Sequence, residues 1–416
     1  MLSPEAALEI ILNSVPSPEM ERVALRDSFG RVLAEDVIAN ENLPPFDNSA
    51  MDGYAVIAED TQGAGKDDPR KLSVIAEQPA GKVSAPPVTP GNAVRIMTGA
   101  PMPAGADAVV MVEHTEFRDG EVFIYRETTV GANVRRSGED VKPGQLVLKI
   151  GQRIGPAHMG MLASLGHVQV AVSKKLRVAI ITTGDELVDV GEHPGPGQIR
   201  NGNQYSILGE ALGAGAEVSV FEHVGDRKEE IERVLKSAPT VSDLVIVCGG
   251  VSVGDYDYVK DIMANLGEML FWKVAIKPGK PLAFGRIGGI PVFGLPGNPV
   301  SCLVTFDLFV RPAILRMTGC GSVDQTVVSG TVTEDVRHKP GPREFMRAVT
   351  VWRDGGYCAR PIPKHGSGML SSMVEANSYL VIHEDTGDVP RGEQVEIILF
   401  GPTPGIHYAR STVGTV

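Results

Sequence analysis

Residues 177–187 read RVAIITTGDEL, an apolar run that ends in a short polar loop. The same pattern recurs in DLVIVCGGVSVG, residues 243–254, and in PVFGLPGNP, residues 291–299. Short apolar runs that stop at glycine or proline predict buried strands. Helical segments lie between these runs, so the region predicts βαβ units and a parallel, doubly wound sheet.

The same pattern of apolar runs and turns assigns secondary structure to residues 176–325. Strands are predicted at residues 177–182, 216–221, 243–248, 269–276 and 291–294, and helices at 204–212, 228–237, 256–266 and 301–317. Residues 40–145 and those after 325 instead hold short β-like runs between glycine and proline turns. Ser3-Pro4-Glu5 predicts the start of an N-terminal helix, for which we favour a docking role without chemistry.

Length and charge limit the classes of function. The chain has 416 residues, enough for several domains, and a net charge of −12. An acidic surface argues against nonspecific binding to nucleic acid or to an anionic membrane. No apolar run is long enough for a membrane span, and the N-terminus lacks the basic and apolar regions of a secretory signal.

The cysteines and the absent motifs narrow the choice further. Cys248, Cys302, Cys320 and Cys358 form no CxxC pair, so we expect free thiols and a cytoplasmic protein. The sequence contains no GxxxxGK[ST] and no HExxH, and no GxGxxG follows a strand. These absences argue against a P-loop NTPase, a nicotinamide-dependent enzyme and a zinc peptidase.

Three loops are expected at one edge of the predicted sheet. They are residues 182–187 (TTGDEL), 249–257 (GGVSVGDYD) and 294–299 (GLPGNP). In doubly wound sheets, ligands bind outside the carboxyl ends of the strands. Glycines allow close backbone approach, and helix N-termini stabilise anions, so we expect Gly249, Gly250 and Ser252 to contact a substrate. Ordinary turn chemistry could explain one such loop, but three at one edge favour a site.

The charges near these loops are unevenly distributed. No carboxylate occurs from residue 269 to 306, whereas Lys273, Lys277, Lys280 and Arg286 do. We favour an anion site over a solvated strand edge, and expect Lys273 and Lys277 to be available to a ligand because no carboxylate lies nearby in the chain.

Acids collect in the neighbouring loops, namely Asp185, Glu186, Asp226, Asp255 and Asp257. Carboxylates beside an anion site commonly hold Mg²⁺ against phosphate oxygens. Helix N-capping explains Asp226 and Asp255 equally well, but it explains Glu186 and Asp257 poorly.

The region before residue 145 carries further polar turns. They are PPFDNSAMDGYAV at 44–56, TGA at 98–100 and RRSGED at 135–140. Their side chains could satisfy one another or orient a heterocycle. The residues alone do not decide between these two roles.

Seven of these segments together resemble one family, molybdopterin molybdenumtransferase, which includes the E domain of gephyrin. They are PPFDNSAMDGYAV, RIMTGAPMP, NVRRSGED, TTGDEL, GGVSVGDYDY, FWKVAIKPGKP and FGLPGNPVS. The resemblance runs in unbroken order from about residue 2 to about residue 400 and leaves out the tail, 401–416.

The resemblance implies a multi-domain chain of class α/β plus β. Residues 1–39 with 145–175 would form an elongated dimerisation domain, and 40–144 an inserted β-rich domain. Residues 176–325 would form a three-layer α/β molybdopterin-binding domain, and 326–400 a β-barrel-like domain. It further implies a homodimer whose active site draws on both subunits.

The resemblance also implies a reaction: molybdate enters adenylylated molybdopterin in the presence of Mg²⁺, and AMP is released. The functional positions of the family fall on Asp52, Thr98, Asp140, Glu186, Asp226, Asp257, Lys273, Lys277, Pro296, Pro299, Arg347 and Ser367. Glu186 and Asp257 would supply or orient Mg²⁺. The last domain aligns less firmly, so Arg343 is an alternative to Arg347.

Two other functions stay open on the sequence alone. Molybdopterin adenylyltransferase shares the α/β domain, but that enzyme is usually a stand-alone domain, which residues 1–145 and 326–400 argue against. A non-enzymatic scaffold like gephyrin would need a long disordered linker and an extra domain, which are absent here. The sequence does not separate molybdate from tungstate, which are nearly alike in size and charge.

Overall fold

The computed structural model describes residues 1–251, 258–363 and 366–401. Within these ranges, the strands form three six-stranded sheets and four two-stranded pairs. None of the helices in these described ranges combines the length and apolar character that a membrane span requires. All four cysteines are free thiols, as predicted.

The first large sheet, the α/β sheet, lies in the middle of the chain. Its strands, in spatial order, are Glu217–Val224, Arg177–Thr183, Leu244–Cys248, Ile290–Leu295, Ala283–Ile287 and Glu268–Trp272. Its helices are Gly202–Gly213, Lys228–Ser237, Tyr258–Leu266, and Pro299–Thr305 continuing through the π-helical turn Phe306–Val310 into Arg311–Met317.

Alternation along single strands explains why this region has three layers. Val178 and Ile180 belong to one apolar core, while Ala179 and Ile181 belong to a second core across the sheet. Successive side chains of a strand point to opposite faces, so a fully apolar strand needs helices on both. The predicted strands and helices of this region are present, with ends shifted by a few residues.

The prediction of a wholly parallel sheet is wrong. Strand Ala283–Ile287 was not predicted, and it runs antiparallel to both of its neighbours. Gly288 and Gly289 connect it to Ile290–Leu295, and both have positive φ, 60° and 85°. Paired glycines of this kind form tight β-hairpins, so the sequence carried a signal for this extra strand. The predicted strand 269–276 correspondingly ends at Trp272.

The N-terminal helix Pro4–Ser14 begins as predicted, with the Ser3 hydroxyl accepting a hydrogen bond from the Ala6 amide at 3.2 Å. Its buried residues Ala7 and Ile11 belong to the core of the α/β sheet. The helix therefore docks on the α/β region, although the sequence assigns it to a domain with residues 145–175.

Strands, rather than the helix, join the N-terminal segment to residues 145–175. Met20–Ala24 pairs with Gln169–Ser173, and Val37–Ile38 pairs with Leu146–Leu148. Helix Pro156–Ser164 packs near these pairs through Leu162, within an apolar core of their own.

The second large sheet, the inserted sheet, lies within residues 53–124. Its strands, in spatial order, are Ala108–Met111, Gly53–Val56, Asn92–Ile96, Arg70–Gln78, Glu121–Ile124 and Thr115–Arg118. The pair Asn48–Ser49 and Val134–Arg135 flanks it. This region is rich in β-structure, as the sequence predicts.

The third large sheet closes into a five-stranded barrel. Its strands, in order, are Arg343–Arg353, Gly356–Pro361, Thr326–Val332, Gln394–Leu399 and Ser378–Ile382, the last pairing back with the first. The sixth strand, Ile276–Lys277, comes from the preceding region and pairs with Arg343–Arg353 in parallel, with Lys277 opposite Glu344. This pairing ties the α/β region to the barrel.

The remaining elements are short. They are helix Ser371–Glu375, the strand pair Leu187–Val188 and Ile199–Arg200, and the 3-10 turns Leu25–Asp27, Ala58–Thr61, Val112–His114 and Ala238–Thr240.

Candidate active site

The three predicted loops do lie at one edge of the α/β sheet. Thr182 is in register with Cys248, and Cys248 with Leu295, so the three strands end together. The Gly249 amide donates to the Leu295 carbonyl at 3.0 Å. Gly249 has a φ of +107°, and a Cβ there would lie 2.7 Å from the Thr183 carbonyl oxygen. Only glycine allows this close approach of the loops.

Thr183 is a site residue that the sequence did not single out. Its Oγ1 is buried and has no hydrogen-bond partner among the residues that the structure describes. A Cβ on Gly250 would lie 3.3 Å from that same oxygen. A buried hydroxyl without a partner suggests a ligand contact. Ser252 and Asp257, both predicted site residues, lie outside the described residues.

The acidic loops contact each other at this edge. The Asp185 amide donates to Asp226 Oδ2 at 3.4 Å, and the Asp226 amide donates to Asp185 Oδ1 at 3.1 Å. The N-cap of helix Lys228–Ser237 is Arg227, so Asp226 does not occupy the N-cap position that helix capping would require. Glu186 is exposed beside Gly184, where a Cβ would lie 2.5 Å from its Oε2.

Two of these acids carry the kind of oxygen donors that could hold Mg²⁺. No group of three or more acidic, histidine or cysteine side chains suited to a metal occurs among the described residues. The carboxylates of Glu186 and Asp226 nevertheless belong to joined loops, and carboxylate oxygens are the donors that Mg²⁺ prefers. Mg²⁺ commonly keeps several waters and takes one or two carboxylates, and these residues fit that pattern.

Lys273 is held against an aromatic ring next to the glycine loops. Its Nζ lies 3.6 Å from the centroid of Trp272. The Trp272 Nε1 donates to the Val251 carbonyl oxygen at 3.0 Å, which fixes the ring to the end of the glycine loop. The ring therefore positions the Lys273 ammonium. Trp272 is a second residue that sequence reasoning missed, although it stands inside FWKVAIKPGKP.

The two predicted prolines shape the third loop. Pro296 is buried, and its carbonyl oxygen accepts from the Cys248 thiol at 3.4 Å. The Asn203 side chain donates to the Gly297 carbonyl at 2.7 Å. Pro299 occupies the first turn of helix Pro299–Thr305, where its missing N–H costs nothing.

A second site lies where the α/β region meets the barrel. It is a cleft of about 440 Å³, hereafter the oxyanion cleft. Its lining residues are Ile276, Lys277, Pro278, Gly279, Lys280, Pro281, Ser301, Pro342, Glu344, Met346, Arg347 and Ser367. Three residues predicted from distant parts of the sequence, Lys277, Arg347 and Ser367, thus come together. The Val300 amide donates to the Ser367 carbonyl at 2.9 Å, which ties that loop to a helix N-terminus.

The two candidate arginines have different surroundings. Arg347 lines the oxyanion cleft and is 2% exposed, and this burial lowers the pKa of its guanidinium from the ordinary value. Arg343 pairs with Glu5 of the N-terminal helix and, at 3.2 Å, with Glu384. Arg347 therefore lies in the cleft, whereas Arg343 joins the N-terminal helix to the barrel.

One expectation about the lysines is wrong. Lys277 has no acid nearby in the chain, yet its Nζ lies 3.0 Å from Oε2 of Glu344. The barrel strand supplies this carboxylate because Lys277 and Glu344 are opposite each other in the register. The sequence near Lys277 cannot reveal an ion-pair partner that a distant strand brings next to it.

Two of the three predicted residues of the inserted region, Asp52 and Thr98, contact each other. The Thr98 amide and hydroxyl donate to Asp52 Oδ1 at 2.7 and 2.8 Å. These bonds, the amide's first, hold the pKa of the Asp52 carboxyl below its ordinary value. The Asp140 amide donates to the Leu43 carbonyl at 3.0 Å. Asp52, Thr98 and Asp140 are all exposed, and none of them lines the oxyanion cleft of the same chain.

Three family models match most of the chain in order. Residues 2–166 match the MoeA N-terminal region (domain I and II). Residues 179–316 match the probable molybdopterin binding domain, and residues 329–400 match the MoeA C-terminal region (domain IV).

Whole-length relatives agree with these matches. The chain is 37% identical to molybdopterin molybdenumtransferase of Haemophilus influenzae, over 95% of this chain and 98% of that protein. It is 40% identical to molybdopterin molybdenumtransferase 2 of Mycobacterium tuberculosis, over 90% and 94%. A crystal structure of the molybdopterin biosynthesis moeA protein from Pyrococcus horikoshii matches with a TM-score of 0.82 and 35% identity, over 96% of this chain and 100% of that one. The chain therefore belongs to the molybdopterin molybdenumtransferase family.

Proposed function

We propose that this chain inserts molybdate into adenylylated molybdopterin, releasing AMP and forming the molybdenum cofactor. One observation carries the proposal: Lys277, Lys280 and Arg347 line one cleft where the α/β region meets the barrel. The net charge of the chain is −12, so a concentration of cations in one cleft is a local feature that suits a dianion.

The oxyanion cleft is the molybdate site in this proposal. Guanidinium, ammonium and hydroxyl groups are the usual hosts of a tetrahedral oxyanion, and Arg347, Lys277 and Ser367 provide one of each. Arg347 and Ser367 belong to the C-terminal region, and Lys277 belongs to the α/β region. The anion would bridge the two regions.

The glycine loops form the site of the adenylylated pterin. Gly249 and Gly250 let phosphate oxygens approach the backbone, and the Thr183 hydroxyl offers a buried hydrogen bond. Lys273, held by the Trp272 ring, adds positive charge near them. Glu186, with Asp226 and the predicted Asp257, would hold Mg²⁺, which would neutralise the charge of the departing AMP.

No side-chain nucleophile is required in this reaction. The substrate's dithiolene sulfurs and molybdate react with each other, so the protein's task is to hold both at the correct separation. Positioning and charge stabilisation then supply the rate.

The remaining site residues belong to a shared active site in a homodimer. Asp52, Thr98 and Asp140 are exposed on the inserted region, and they would face the α/β loops of the partner subunit. In this proposal the chain has four domains. They are residues 1–39 together with 145–175, residues 40–144, residues 176–325 and residues 326–400. Free cysteines fit a reducing compartment, so we place the reaction in the cytoplasm.

The test is release of AMP from adenylylated molybdopterin by the purified chain. Release that depends on molybdate and on Mg²⁺ supports the proposal. Formation of the adenylylated pterin from ATP would instead indicate an adenylyltransferase, and no turnover of either kind would indicate a scaffold. Asp257→Asn should nearly abolish molybdate-dependent release while the melting temperature stays that of the wild type. Wild-type turnover of that variant at saturating Mg²⁺ would contradict its role.

A further inference from the structure

The oxyanion cleft contains a buried carboxylate that the proposed reaction does not explain. Glu344 lines the cleft, and its side chain is 8% exposed. Its Oε2 lies 3.0 Å from Lys277 Nζ and 3.4 Å from His338 Nε2. A carboxylate repels an incoming oxyanion, so a buried one in this position needs a physical reason.

His338 packs behind this carboxylate. Its Nδ1 lies 2.8 Å from the Thr386 carbonyl oxygen, and its Nε2 lies 3.4 Å from Glu344 Oε2. On the other side, the Lys277 ammonium donates to the same Glu344 oxygen at 3.0 Å. The carboxylate therefore lies between a buried imidazole ring and an exposed ammonium group.

The three members of this chain differ in their freedom to move. The side chains of His338 and Glu344 are 3% and 8% exposed, whereas that of Lys277 is 64% exposed. The His338 backbone amide is also held, by Asp388 Oδ1 at 2.8 Å. The carboxylate and the imidazole ring are therefore fixed, and the ammonium of Lys277 can turn toward a ligand.

We propose that Glu344 and His338 are positioning residues that set the oxyanion affinity of the cleft. Glu344 holds Lys277 while the cleft is empty and gives it up to the bound anion. The ring of His338 keeps the carboxylate in place after Lys277 has left it. This inference rests on the proposed function of the cleft as the molybdate site.

The arrangement has a purpose in a transfer reaction. An anion must compete with Glu344 for Lys277, so every oxyanion binds more weakly than the cations alone would allow. Tight binding that is equal before and during the reaction does not accelerate the chemical step. A moderated affinity lets molybdate leave the cleft for the pterin.

The experiment is calorimetric titration of the folded chain with sodium molybdate and, separately, sodium sulfate at constant ionic strength. Glu344→Gln removes the competitor and should tighten molybdate binding by about tenfold, the scale of one charge-assisted hydrogen bond. Sulfate binding should tighten as well. A general structural defect would weaken binding, so the direction of the change separates the two explanations.

Two further variants complete the design. His338→Ala removes the ring that fixes the carboxylate, so the carboxylate holds Lys277 less firmly and molybdate binding should tighten toward that of Glu344→Gln. The double variant should bind like Glu344→Gln, because His338 acts only through Glu344. The matched control is Glu393→Gln, which removes the same charge from an exposed turn of the barrel region and should change the affinity less than twofold.

The outcomes separate a failure of this inference from a failure of the proposed function. Molybdate binding by the wild type without tightening in Glu344→Gln would overturn the inference alone. No molybdate binding by the wild type or any variant would overturn the proposed molybdate site, and the inference with it.

Discussion

Replacing Glu210 by glutamine should make the chain more stable at alkaline pH. Glu210 and Asp307 line a cavity of about 380 Å³ between the long helix and the barrel. Burial, reinforced by the charge of Asp307, raises the pKa of Glu210 from 4.5 to about 7, against the opposing effect of Arg311. Burial likewise raises the pKa of Asp307 to about 6, although the Tyr379 hydroxyl donates to it at 2.6 Å.

The sign of the pH dependence follows from the raised pKa. Between 4.5 and about 7, the folded chain keeps a proton on Glu210 that the unfolded chain has lost, so the free energy of unfolding falls as the pH rises. Each pH unit in this window is worth about 1.4 kcal/mol, which gives a total fall of about 3 kcal/mol. Glu210→Gln has no such proton to lose. The variant should match the wild type near pH 5 and exceed its stability by up to about 3 kcal/mol near pH 8.

Urea unfolding, followed by tryptophan fluorescence at several pH values, measures this difference. Glu192→Gln is the control, because Glu192 is an exposed acid elsewhere in the same region and should leave the pH dependence unchanged. The reasoning is refuted if Glu210→Gln keeps the wild-type slope of stability against pH, or if it is the less stable protein near pH 8.

Three other predictions follow from the site and the loops. Arg347→Ala should weaken molybdate binding by about tenfold to a hundredfold and leave the affinity for the adenylylated pterin unchanged, as measured in separate titrations. Arg343→Ala should lower the melting temperature and leave both affinities unchanged. An equal loss of affinity for both ligands in Arg347→Ala would contradict this prediction. An Asp52→Ala chain mixed with a Glu186→Ala chain should regain part of the AMP release through mixed dimers, and no recovery after subunit exchange would argue against a shared site. Gly279→Ala should cost about 2 kcal/mol in urea unfolding, because φ is +106° and the new Cβ would lie 2.5 Å from a threonine methyl; an unchanged midpoint would show that the loop adapts freely.

Much of the α/β region could be predicted because its signals are local. The apolar runs ending at Thr183, Cys248 and Leu295 are strands, and Ser3 caps the first helix. Strand Ala283–Ile287 was not predicted, because a short run with an internal glycine and arginine has weak strand character. Its glycine-pair turn was the better signal, and the antiparallel pairing follows from that turn.

Candidate site residues could be proposed from the sequence where a motif or a charge pattern marks them, but contacts that depend on a distant neighbour could not. An acid-free segment with regularly spaced lysines indicated an anion site, and the motifs indicated Arg347 and Ser367. Nothing local marks Thr183 as a buried hydroxyl without a partner, or Trp272 as the support of Lys273. Both properties depend on which loops pack against them.

The sequence by itself determined most of the strand and helix pattern of the α/β region, the edge of the sheet where the loops collect, and the family. These follow from local periodicity, from the direction of parallel strands and from long specific motifs. Only the tertiary structure decided which arginine enters the oxyanion cleft and which acid meets Lys277. Glu344 lies 67 positions further along the chain and reaches Lys277 because a two-residue strand joins the barrel in one register. Register between distant strands is set by the packing of whole domains, so no local stretch of sequence contains it.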